Sequence, residues 1–475
     1  MTLTLLLLAL PSLFAEDSEA PPDRTHPPAV EAPALLTLPD PEVHVLGPGI
    51  EAWHVRVPGV RHVEVSVTVR NGRIQRPESA AAWYAAAATA DVATTELDAA
   101  EVSELEDLHS MDVYTTLGAL QGTIGFDAAR DDLNDAWTLL DGVVHNSAPP
   151  RADLKRYVQE QRQWYTIDGP ASQGAVASSA LTFGWFPKDH PYGERPDLGS
   201  YSKLTVHAVN GLYTDWLHNG PVRVLVVGDL PWGEAEAHVL AAVKDIGRDA
   251  SRAVAPAFTP PAQSRVIAVD MPGQKQAAIQ LRFAAPNAGA ADRVPFWVTN
   301  WVLGGHFLSR LNTNLREEKG YTYGAGSDYD VDTTLGYTTV GVDVQSEHTA
   351  DAIVEIEREL ARLAAEGVPA SELAMAQRSL SAEWNNELQT AASAASLYSA
   401  LSYADEPISV RRARYEDLAS LTTSETRATA QAWMSAERVR VWVVVGDRAE
   451  IAPQLDKLGW TVEWITPSRA ILGQF

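Results

Sequence analysis

The stretch "LNTNLREEKGYTYGAGS", residues 311–327, sets Arg316 seven positions before Tyr323. Both side chains are hydrogen-bond donors, a guanidinium and a phenol. Seven residues are two turns of helix, so an unbroken helix would put both on one face. Gly320 falls between them and breaks the helix, carrying the tyrosine onto extended chain. Two different elements can then aim a guanidinium and a phenol at one point. A plainer reading is an exposed helix end stopped by a glycine cap, with its tyrosines half buried.

Other chemistry-bearing residues are sparse. The chain has no cysteine, which excludes disulfides, thiolate metal sites and cysteine nucleophiles. Any zinc would need His, Asp or Glu ligands. No two of the twelve histidines stand four apart, and none occurs between His62 and His109. "ELEDLH" offers Glu104, Glu106, Asp107 and His109, a pattern that reads as a solvated helix face. His54 and His62 flank an early strand region in ordinary placements. His190 sits in a "DHPYG" turn that it packs, and His306 lies beside paired glycines.

The elements that must position these residues come in two similar sets. "VRVLVVGD" (222–229) recurs as "VRVWVVVGD" (439–447). Leu204, Thr205 and Trp216 return as Leu421, Thr422 and Trp433, each 217 residues on. "PRADL" (150–154) returns as "PASEL" (369–373), and "TTLG" at 115–118 as "TTLG" at 333–336. Ordered matches of this kind imply an internal duplication. Each half opens on alternating strands, "HVEVSVTVR" (62–70) and "AAIQLRFAA" (277–285), and closes on a valine-rich strand ending Gly-Asp. Between them lie amphipathic helices, such as the one with Ile353, Ile356, Leu360 and Leu363 on one face. Strand and helix runs in separate blocks predict an α+β fold, each half with helices packed on one face of a largely antiparallel sheet.

The 475 residues exceed one ordinary core. A net charge of −25 and pI near 4.8 argue against nucleic-acid and anionic-membrane partners. The start "MTLTLLLLALPSLFA" reads as a signal peptide over 1–15, with an uncleaved N-terminal anchor as the alternative. Residues 16–42, rich in proline and acid, read as a disordered leader. The expected domains are 43–250 and 266–475, joined by a proline-rich linker at 251–265. No further segment is apolar enough for a transmembrane helix.

"LGGHFLSRLNTNLREEKGYTYGAGS" (303–327) resembles the second-domain signature of the insulinase/pitrilysin zinc metallopeptidases, which include the mitochondrial processing peptidases. "HPYG" (190–193), "LGS" (198–200) and the strands ending "VVGD" resemble other parts of the family pattern. The resemblance covers roughly residues 43–475. It implies two homologous α+β domains facing each other as a clam shell around a peptide chamber. It also implies that Arg316 and Tyr323 reach the active site, the tyrosine donating to the developing oxyanion and the arginine holding peptide backbone.

The family's zinc motif, H-x-x-E-H, is missing. Two histidines at i and i+4 would bind zinc and the glutamate would serve as general base. In "ESAAAWYAAAATADVATTEL" (78–97), counting from Pro77, the three positions are Ala85, Ala88 and Thr89. The third ligand's position falls at Arg162, with Glu160 close by. The expected protein is thus a non-catalytic subunit of an exported, periplasmic insulinase-family peptidase. It would hold no zinc of its own, bind peptide through Arg316 and Tyr323, and complete the site of a zinc-bearing homologous partner. Two alternatives stay open: a peptide-binding or structural core protein without a protease partner, and an active zinc enzyme with unfamiliar ligands.

Overall fold

The structure is a computed structural model that describes residues 38–475 apart from Pro196 and Asp249. The expected signal peptide and most of the expected leader lie outside the described residues. Packed structure is already present within the leader expected over 16–42. Leu38 is fully buried, the Pro39 carbonyl accepts from the Tyr398 hydroxyl at 2.7 Å, and Glu42 opens the first strand. The described residues form one compact unit.

Two six-stranded sheets organise that unit. The first contains β1 (Glu42–Gly47), β2 (Ile50–Arg56), β3 (His62–Val69), β4 (Asp112–Leu117), β5 (Gly122–Ala129) and β6 (Val222–Gly228), in the order β1-β2-β6-β3-β5-β4. The second contains β7 (Arg265–Asp270), β8 (Gln276–Ala284), β9 (Thr322–Val331), β10 (Gly336–Gln345), β11 (Arg440–Gly446) and β12 (Val462–Ile465), in the order β12-β7-β11-β8-β10-β9. Five strands correspond one to one across the two orders. Only the outer strand differs, since β1 precedes β2 and runs antiparallel to it, whereas β12 comes from the chain's end and runs parallel to β7. Pairing is otherwise antiparallel except for β2 with β6 and β7 with β11, so both sheets are mixed.

The helices follow the same repeat. Thr205 and Thr422 each cap the helix before their half's valine-rich strand, their hydroxyls accepting from Ala208 and Glu425 backbone N–H groups. Pro150 and Pro369 each precede the first residue of equivalent helices, Arg151–Gln163 and Ala370–Asn385. The "TTLG" match does not correspond. Thr115 lies within β4, whereas Thr333 lies in the turn between β9 and β10. Their shared letters reflect turn and strand preferences of different elements, not common descent of position.

Helices cover both faces of each sheet, where one face was expected. On the first sheet, Val63, Val65, Val67 and Val224 pack with Trp83, Leu140 and Trp216 from helices of the same half. The opposite face of β3 and β6 receives the helix Ala391–Ala404 of the second half. In return, helix Gln173–Trp185 of the first half sends Val176, Ala180, Leu181 and Trp185 onto Val441, Val443 and Val445 of β11. Each half therefore lends one helix to the other's sheet. The architecture is α+β, two mixed sheets flanked by helices in paired halves.

Candidate functional site

Arg316 stands on a short helical segment, Thr313–Glu318, whose last turn is widened: the Lys319 N–H donates five residues back to the Asn314 carbonyl at 3.0 Å. Gly320 then takes φ +67°, a conformation that side chains resist, and the Gly320 and Tyr321 N–H groups close the turn on the Arg316 and Leu315 carbonyls. Tyr323 follows as the second residue of β9. The chain reversal brings the Arg316 guanidinium to 5.5 Å from the Tyr323 ring centre and 4.5 Å from that of Phe307. Tyr323 is 90% exposed, and Phe307 and Leu308 beside it are exposed as well. Glu317 lies 3.4 Å from the Arg316 Nε.

Buried amides hold this tip. Asn312 donates to the Phe307 carbonyl at 2.6 Å and accepts from the Ala325 N–H of β9 at 3.1 Å. Asn314 donates at 3.0 Å to both Glu355 and Glu359 on helix Thr349–Glu366, two carboxylates that are themselves buried. Gly304 lies so close to β9 that a Cβ there would meet the Ser327 nitrogen at 2.4 Å. The first tyrosine is half buried and stacks on His348, as the plainer reading of this stretch expects, but the second stands out in solvent.

The zinc position is built differently. The helix there runs only from Ala80 to Ala87, so Ala85 sits within it while Ala88 and Thr89 lie in the turn beyond. Ala85 and Thr89 are buried, and the Thr89 hydroxyl donates back to the Ala85 carbonyl at 2.7 Å. A methyl offers no lone pair, and that hydroxyl is already engaged. Ala88 lines a cavity of about 700 Å³ with Tyr84, Tyr157, Gln161 and Tyr201. Burial pushes the Tyr157, Tyr165 and Tyr201 phenols up, so these groups stay neutral. Arg162 and Glu160 are exposed on the facing helix, where Glu160 pairs with Arg156 at 3.7 Å. Arg316 and Tyr323 line neither this cavity nor the larger one of about 930 Å³ between the halves. The structure thus joins Arg316 to Tyr323 and keeps that pair apart from the cavity beside Ala88.

The remaining candidates separate. His109 pairs with Asp132 at 2.7 Å and Glu106 accepts from the Val113 N–H, so "ELEDLH" does not converge on one point. His62 pairs with Asp127 at 2.6 Å. His190 is buried, stacked on Phe186, and burial lowers its basicity. His306 stacks on Trp301 at 3.6 Å. Among the described residues one group of possible metal ligands does converge, Glu42, His44 and His54. The sequence reading passed over it, because cross-strand register and not sequence spacing assembles it.

Residues 203–380 match the family model described as "Peptidase M16 inactive domain". A crystal structure of a peptidase M16 inactive domain from Pseudomonas fluorescens is similar at 18% identity and TM-score 0.76, over 86% of this chain and 98% of that one. A protease from Helicobacter pylori is similar at 16% identity and TM-score 0.72, over 86% of this chain and 100% of that one. The periplasmic protease PqqL from Escherichia coli is similar at 13% identity and TM-score 0.71, over 89% of this chain but 47% of PqqL. Among curated proteins none matches the sequence significantly. The helix Ala80–Ala87 carries no His, Asp or Glu that could ligate zinc. Over residues 203–380 the chain is thus similar to the M16 inactive domain, and the solved structures share its fold.

Proposed function

We propose that this chain is the non-catalytic subunit of an exported M16-family peptidase, binding peptide substrate through Arg316 and Tyr323 and completing the active site of a zinc-bearing homologous subunit. The observation that carries this reading is the presentation of the pair: a phenol 90% exposed, a guanidinium 5.5 Å from its ring, both held by buried asparagines. A tip that served only its own fold would gain nothing from an exposed tyrosine at the start of an edge strand. Neither side chain lines the two large cavities described above, which fits a target supplied from outside. In PqqL and in the ferredoxin protease FusC, a segment of this length matches about half of one longer protease chain. A second half carrying the metal is thus a natural complement. The name of PqqL, a periplasmic protease, supports an exported location. Among the described residues no helix is long and apolar enough to cross a membrane.

The test is to purify the chain from its native source and identify what accompanies it. Co-purification of a homologue bearing H-x-x-E-H, with peptidase activity in the complex and none in either chain alone, is the expected result. A chain that purifies without such a homologue contradicts the reading.

A further inference from the structure

We infer that Glu42, His44 and His54 form a binding site for one divalent first-row cation of the zinc class, unrelated to the family's catalytic metal. The site is built by register. In the β1–β2 hairpin Glu42 pairs directly with His54, and His44 stands two residues along β1, so all three side chains leave one face of the ribbon.

The spacing suits a metal. The His44 Nε2 lies 3.3 Å from one Glu42 carboxylate oxygen and the His54 Nδ1 lies 3.4 Å from the other. Ligand atoms at zinc bond lengths in a tetrahedron are about 3.3 Å apart. The three ligand atoms lie within 4.8 Å of one another.

The hydrogen bonding of His54 points the same way. The His54 Nε2 lies 2.7 Å from the Leu230 carbonyl, which can only accept, so that nitrogen carries the hydrogen. The Nδ1 on the other side of the ring then faces a Glu42 carboxylate oxygen 3.4 Å away, a gap that a cation would bridge. Metal-bound histidines are held in this way, with the far N–H donated to a carbonyl. His54 is 94% buried by its 6% exposure, and the His44 Nε2 is buried with no hydrogen-bond partner. Stacking on Trp232, with ring centres 3.8 Å apart, fixes the His44 ring. Glu42 remains open to solvent, which gives the cation a way in. Since Leu38, four residues before Glu42, anchors in the core, a cation here would tie the first strand to its neighbour close to that anchor.

The test uses the untagged full chain, stripped with chelator and titrated with zinc chloride alone by calorimetry, with metal content measured after dialysis. About one zinc per chain is expected, together with a rise in the thermal midpoint on adding zinc. His44→Gln should abolish both effects, and Glu42→Gln should weaken binding at least tenfold. Glu42 is exposed and His44 is partly so, and melts without zinc check that each variant folds. Absence of zinc binding by the wild-type chain overturns the inference and leaves a proton as the charge between the groups. Equal binding by wild type and His44→Gln overturns it too, because the metal would then lie elsewhere.

Discussion

Trp216 and Trp433 occupy the same place in the two halves, each one residue before the end of the helix that leads into its half's valine-rich strand, β6 or β11. Their environments have diverged. The Trp216 indole is fully buried and donates to the Asn71 carbonyl at 2.9 Å, whereas Trp433 donates to the Asp292 carboxylate at 2.6 Å. Position survived duplication while the partners changed.

The halves, though alike, depend on each other. Helix Ala391–Ala404 lies on the first sheet, where Arg70 donates to the Ser402 carbonyl at 3.1 Å and to Asp405 at 3.0 Å. Helix Gln173–Trp185 lies on the second sheet. A chain divided within 251–264, where no helix or strand occurs, should therefore give fragments that aggregate when expressed singly. Co-expressed, they should purify as a 1:1 complex with a cooperative melt. Independent folding of the first fragment, seen as a sharp melt and a monomeric elution, would contradict the reciprocal packing.

The duplication was legible because capping residues and tryptophans hold fixed offsets, as Thr205 and Thr422 do. "TTLG" misled because four letters with turn and strand preferences recur by chance, and only pairing shows that Thr115 and Thr333 stand on different elements. The exchange of helices was not legible. An apolar face such as Val176, Ala180 and Leu181 specifies burial but not which sheet buries it. Arg316 and Tyr323 could be read locally, because Gly320 fixes the reversal between them. Glu42, His44 and His54 could not, since a hairpin register ten to twelve residues wide brings them together.

Glu64 titrates near neutrality. Burial raises its carboxyl to about 7, opposed by the Tyr114 hydroxyl donating to it at 2.6 Å and reinforced by Asp127. A carboxyl raised in the folded state binds its proton more tightly there than unfolded, so stability falls as pH rises from about 4.5 through 7. The loss is on the order of 1–2 kcal/mol, allowing for solvent in the cavity that Glu64 lines. Glu64→Gln keeps an acceptor for Tyr114 and should flatten this part of the stability profile, raising the melting temperature at pH 8. Urea melts at pH 5 and 8 check it; an unchanged pH slope contradicts the assignment.

Gly304 passes against β9 with no room for a side chain. Gly304→Ala should push the motif's supporting helix off Ser327 and cost about 1–3 kcal/mol. Thermal melts read the loss directly, and a wild-type midpoint would mean that the close approach relaxes freely.

Asn314 is the donor shared by Glu355 and Glu359. Asn314→Leu leaves two buried carboxylates each short of a hydrogen bond, at a cost of about 1–3 kcal/mol. Denaturant titrations measure it, and wild-type stability in the variant would refute the account.

The central claim is that Arg316 and Tyr323 act on peptide in a partner's active site, and steady-state kinetics of the reconstituted complex tests it most directly. Tyr323→Phe removes one exposed hydroxyl and no packing, so melting and assembly should match wild type. Turnover should nevertheless fall on the order of a hundredfold, the effect of losing one donor to a developing oxyanion. Arg316→Ala should chiefly raise KM, since the lost guanidinium would have held peptide backbone. Wild-type turnover and KM from both variants, with assembly intact, would contradict the account.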